Sequence, residues 1–183
     1  MGMDSREPVD VIRPVTPAEI ERLFARAAVR GLRGLFADYG VDTEPNALPV
    51  AIEPPLADVF GRVAFIGDGI EGAIVLGASV GPLGRCRPDV ATPDDWIAEL
   101  TNQLMGRIKN QMLRAGIQLQ QALPTVLYAD RLRALTGELR PWILVAADGV
   151  VGVGLAIDVP VAIIPDANLL NWDVPPEGEL LLF

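Results

Sequence analysis

The sequence predicts a single α+β domain in which two long helices pack on a mostly antiparallel sheet. Three observations carry that prediction. Two segments open with Thr-Pro, Thr16-Pro17 and Thr92-Pro93, and each continues with apolar residues at helical spacing. Two pairs of apolar runs flank Gly67-Asp68-Gly69 and Asp148-Gly149, which are hairpin signals. The order helix, hairpin, helix, strand, hairpin then leaves helices to one layer and strands to another.

Composition bounds what such a domain can do. Half of the 183 residues are hydrophobic and 21% are charged, enough for a sizeable core. The net charge of −9 argues against nucleic acid and against anionic membrane surfaces, both of which need basic patches. No apolar run approaches the ~18 residues a bilayer span requires, and no signal-peptide pattern opens the chain. A lone cysteine, Cys86, suits a reducing compartment, so the expected location is the cytoplasm. The chain has no histidine, which removes Ser-His-Asp and Cys-His nucleophile systems and histidine metal sites. Any chemistry must rest on carboxylates, amides or lysine, or on a metal brought by a partner.

Taken in order, residues 1–15 read as a flexible leader. The first helix starts at a Thr16-x-x-Glu19 capping box and runs to about Asp38, ended by Tyr39-Gly40. Ile20, Leu23, Phe24, Ala27, Gly31 and Leu35 form its buried stripe, and Arg22, Arg26, Arg30 and Arg33 line the other side. That arginine row is either a solvated face or a contact for an acidic partner. Asp42–Pro55 reads as a loop or an edge. Val63–Ile66 and Ile70–Ser79 form the first hairpin. Its glycines belong to turns and bulges, because no helix follows to make a phosphate cradle. Gly81–Pro88 reads as a loop. After Gly116, Ile117–Gln120 alternates as a half-buried strand, and Leu123–Tyr128 continues extended. Residues 128–137 read as a turn with one short helical turn. Trp142–Ala147 and Val150–Ile164 form the second hairpin. The domain is expected to span 16–165, and the tail 166–183, acidic with the apolar end Leu180–Phe183, is expected to pack on the domain or on a dimer partner.

The second long helix, Thr92 to about Ala115, is the informative one. Thr92 caps it, Pro93 suits its first position, Asp94 and Asp95 match the positive end of the dipole, and Gly116 ends it. At about 100° per residue, Ile97, Leu100, Leu104, Ile108, Met112 and Ala115 share the core face. Asp95, Glu99, Asn102, Gly106 and Lys109 fall opposite, within about 40° of one line. A glycine inside a helix is roughly 1 kcal/mol worse than alanine, and close approach by a backbone or ligand is what it usually permits. Glu99 and Asn102 therefore flank a gap. The plainer alternative is a solvated face. A metal site built on Asp94, Asp95 and Glu99 is disfavoured, because both aspartates are explained by the dipole.

Glu99-x-x-Asn102-x-x-x-Gly106-x-x-Lys109 on a capped helix resembles the signature helix of the CheC/CheX/FliY chemotaxis phosphatases. The hairpin before it, and Gly116-Ile117 with extended Pro124-Thr125-Val126 after it, are similar to the CheX branch. The resemblance covers roughly residues 60–165. One glutamate–asparagine helix is present rather than two: the first helix has no asparagine three residues after Glu19 or Glu21. Ala129 stands where the family often has glycine, and the acidic tail does not align with the family pattern. The resemblance implies a CheX-like fold, a sheet shared across a homodimer, and hydrolysis of the aspartyl phosphate of a CheY-like response-regulator receiver domain. It further implies that Asn102 orients the attacking water and that Glu99 pairs with the partner's lysine. Asp95, Gly106 and Lys109 would then serve docking. This chain would bind no metal; Mg2+ would come with the receiver. The alternative on the same fold is a receiver-binding or scaffolding module without hydrolysis.

Overall fold

The computed structural model describes residues 14–45, 57–87, 89, 91–128, 132 and 139–166. Apart from Pro14, Val15 and Asp166, the leader and the tail lie outside the described residues, as do 46–56 of the expected loop.

Helix α1, Pro17–Asp38, starts on a complete capping box. Thr16 Oγ1 accepts from the Glu19 N–H, and the Glu19 carboxylate accepts from the Thr16 N–H at 2.9 Å. Its buried stripe holds Ile20, Phe24, Ala27, Gly31 and Leu35 as expected, widened by Ala28, Leu32 and Phe36; Leu23 is only partly buried. Helix α3, Pro93–Arg114, ends at Gly116, whose φ of +74° is the left-handed conformation glycine adopts freely. Between them lies a short helix, α2, Val80–Cys86, where the sequence predicts a loop. Gly81, Pro82 and Gly84 discourage a helix reading. Yet Pro82 falls in the first turn, where its missing N–H is not needed, and Leu83 and Cys86 anchor the turn in the core.

The strands are β1 (Glu44–Pro45), β2 (Val59–Gly67), β3 (Ile70–Ala78), β4 (Gln120–Gln121), β5 (Thr125–Leu127), β6 (Arg140–Ala146) and β7 (Gly149–Asp158). They form one sheet in the order β1-β6-β7-β3-β2-β4, with β5 also on β2, and every pairing among the described residues is antiparallel. The first hairpin closes at Asp68-Gly69, with φ of 51° and 75°, the type I′ pattern that matches strand twist. The second turns on Ala147-Asp148, so that Gly149 opens β7 rather than completing the turn. Ile117 and Leu119 are buried and Gln118 and Gln120 exposed, the predicted alternation, but ladder pairing begins only at Gln120.

Both long helices cover one face of the sheet. Phe24 of α1 stacks on Phe65 of β2, centroids 5.0 Å apart, within one continuous core. The helices run antiparallel: a Cβ on Gly31, midway along α1, would lie 3.2 Å from Leu104, midway along α3, whereas Tyr39 just past the end of α1 meets Trp96 in the first turn of α3. Helix α3 sits directly over β2. A Cβ on Gly61 would stand 2.1 Å from Thr101 Oγ1 and 2.9 Å from the Ile97 carbonyl, so only glycine lets the helix come this close. A smaller cluster of Ala57, Phe60, Val75, Leu132 and Ile143 packs apart from this core. Strand alternation puts Phe60 on the face opposite Gly61 and the helices.

Candidate functional site

The start of α3 is tied by Thr92, whose Oγ1 accepts from the Asp95 N–H and donates to Asp95 Oδ2 at 2.6 Å. Asp95, a predicted docking residue, is exposed but has its carboxylate engaged in this cap. The apolar face of α3 is buried as the spacing predicts, with Thr101 and Met105 added; Ala115 is the cap and only partly buried.

On the outer face the structure brings Glu99, Asn102 and Gly106 together, each in a distinct setting. Glu99 is exposed, and its Oε1 accepts from Gln103 Nε2 at 2.9 Å. Gln103 Oε1 in turn accepts from the Tyr39 hydroxyl at 3.1 Å, just past the end of α1. The Tyr39 ring meets Trp96 edge to face at 5.6 Å, and Trp96 Nε1 donates to Cys86 Sγ at 3.4 Å. A chain of contacts thus runs from the core to the carboxylate. Burial pushes the Cys86 thiol above its ordinary pKa, and the Trp96 hydrogen bond opposes that only in part.

Asn102 lies on the other flank, partly buried, with Oδ1 accepting from Gln121 Nε2 of β4 at 2.6 Å. Gln121 is opposite Phe65, so the two side chains share the helix-covered side of the sheet. Above Gly106 there is open space: a Cβ there would meet nothing within 4 Å among the described residues, so none of them fills its gap. Lys109 is partly buried and makes no ion pair among the described residues. Gln103 is readable as an i,i+4 partner of Glu99. Gln121 is not, because its role depends on a strand register spanning more than fifty residues. Of the arginine row, Arg22 and Arg26 fold back to donate to the Ala18 and Arg22 carbonyls.

The arrangement presents an acid, an amide and a gap on one rigid face. It contains no nucleophile with a base. Among the described residues no three His, Cys, Asp or Glu side chains gather to hold a metal ion. No helix of these residues is long and apolar enough to cross a membrane. A groove of about 1000 Å³, bordered by Leu23, Arg26, Arg33 and Trp142, lies away from this face.

No family model matches the chain, and no curated protein matches it either. Solved structures do. CheX from Vibrio vulnificus superposes with a TM-score of 0.59 at 14% identity, over 74% of this chain and 96% of that one. A chemotactic CheC-like protein from Shewanella oneidensis gives 0.58 at 16% identity, over 75% and 99%. CheX from Borrelia burgdorferi, solved as a CheX–CheY–BeF3–Mg2+ complex, gives 0.51 at 17% identity, over 75% and 96%. The chain therefore has the α+β fold of CheX and CheC-like chemotaxis proteins.

Proposed function

We propose, proceeding from that CheX-like fold, that this protein docks a CheY-like receiver domain and accelerates hydrolysis of its aspartyl phosphate. The observation that carries the reading is the shared face of α3, where Glu99 and Asn102 flank the open space over Gly106. The Borrelia CheX structure supports the choice of partner, because that relative is held with CheY.

The chemistry suits a site with so few groups. Water attacks phosphorus, the bond from phosphorus to the aspartyl oxygen breaks, and inorganic phosphate leaves while the receiver's carboxylate is regenerated. Such transfer asks for positioning and charge compensation rather than a covalent group from the catalyst. The receiver supplies the phosphoryl group and its Mg2+. Asn102 orients the water, and holding one water in line is worth several kcal/mol through proximity, on the order of what effective-molarity measurements give. Glu99 pairs with a receiver lysine, and its second carboxylate oxygen remains for that contact while Gln103 holds the first. Gly106 admits the receiver surface; Asp95 and Lys109 lie at the rim. Two copies sharing a sheet form the working unit.

The test is the lifetime of a phosphorylated receiver in Mg2+, with and without the protein. Acceleration is expected, and Asn102→Ala should abolish it. No acceleration with any receiver encoded in the same genome would overturn the proposal. Binding with an unchanged phosphate lifetime would instead establish the non-catalytic docking module.

A further inference from the structure

We propose that Gln121 is the positioning residue that fixes how Asn102 presents its amide to a docked partner. The kinetic consequence of this inference rests on the phosphatase reading above.

An asparagine amide has a donor end and an acceptor end of nearly the same shape, and an exposed one rotates between them. Here Gln121 Nε2 donates to Asn102 Oδ1 at 2.6 Å across a partly buried contact. That contact holds the oxygen toward the sheet and leaves the Nδ2 hydrogens, which have no acceptor among the described residues, for an incoming group. The outward end is thus a donor. It can donate to a phosphoryl oxygen or to the oxygen of the attacking water, leaving the water's own protons free.

Gln121 is itself placed by several contacts. It pairs with Phe65 of β2, Ala122 N–H donates to the Ala64 carbonyl at 2.8 Å, and upstream the Gln118 N–H donates to Asp68 Oδ2 at 2.8 Å. The chain passes so close to the first hairpin that a Cβ on Gly67 would lie 2.1 Å from the Gln118 carbonyl. The type I′ turn therefore sets the register of β4. A slip of one residue would turn Gln121 to the other side of the sheet and leave Asn102 without its donor.

Two readouts test this. In the free protein, the side-chain amide resonances of Asn102 should stand apart from those of exposed Asn110. They should move toward the Asn110 position in Q121A. The carboxylate introduced by Q121E can only accept, so it should turn the Asn102 amide end for end and shift the resonances in a third direction. With a phosphorylated receiver as substrate, both variants should lower kcat by about 10-fold or more with KM unchanged, the signature of a lost transition-state orientation. N102A added to Q121A should cost no more than N102A alone. Unmoved Asn102 resonances in Q121A would overturn the inference. So would a Q121A kcat within about two-fold of wild type where N102A is inactive; the phosphatase reading would then stand. A wild-type protein without effect on any receiver overturns the phosphatase reading, and the Asn102 resonances in Q121A then decide the positioning role alone.

Discussion

A methyl group added at Gly106 would meet no atom of the other described residues within 4 Å, in a backbone that is already helical. Gly106→Ala should therefore stabilise the isolated protein by about 1 kcal/mol, through helix propensity alone, as read from a urea midpoint. The same methyl would stand where a partner surface is proposed to approach, so receiver dephosphorylation should fall as stability rises. A rise in both would remove the docking role of this glycine. At this scale the sequence says a great deal. Helical phase alone puts Glu99, Asn102 and Gly106 on one face, and the Thr-Pro starts and Gly116 stop are read without tertiary knowledge. What it withholds is the hydrogen-bonding state of each side chain. Asp95 turns out to serve its own cap, and Asn102 turns out to be held by a residue of the sheet.

Between elements, α3 approaches β2 very closely at Gly61. Alanine there would bring its Cβ into Thr101 Oγ1 and near the Ile97 carbonyl, neither of which can yield without moving the helix. Thr101 Oγ1 is itself bound to the Ile97 carbonyl at 2.6 Å. Gly61→Ala should lower stability by about 1–3 kcal/mol, as overpacking does, and should weaken the receiver effect by lifting Asn102 from Gln121. Thr101→Ala in the same chain should restore part of that loss, because it removes the 2.1 Å contact and leaves the Ile97 carbonyl at 2.9 Å; no restoration at all would place the damage at that carbonyl rather than at the hydroxyl. None of this is legible in the sequence, where Gly61 is one glycine before an apolar run. Elements with strong local signals, such as both long helices and both hairpins, are read correctly. Helix α2 is not, because two glycines and a proline outweigh a burial pattern that only the packed core reveals.

For the whole molecule, pH isolates one term. With no histidine to titrate, stability should be nearly flat across neutrality. Cys86 then matters at alkaline pH. Its folded pKa is raised by burial, so above the ordinary thiol range the unfolded chain releases a proton that the folded chain retains. Stability must fall as pH rises through that window, until the folded pKa is passed. Denaturant midpoints should show this decline, and Cys86→Ala should flatten it apart from a constant offset. A variant with the same slope would assign the decline to other groups. The layered architecture follows from the order of hydrophobic periods. The strand order does not: β7 inserting between β6 and β3 is a choice among long-range pairings that only the closed core decides.

Strand β4 has only two paired residues and sits at the border of the sheet, whereas β2 and β3 pair along nine. Short border strands open at free energies far below that of global unfolding. Because Gln121 rides on that strand, warming should fray the grip on Asn102 while the core holding Phe24 and Phe65 remains intact. The proposed receiver dephosphorylation should then fail before the fold melts, at a temperature set by two residue pairs rather than by the hydrophobic interior.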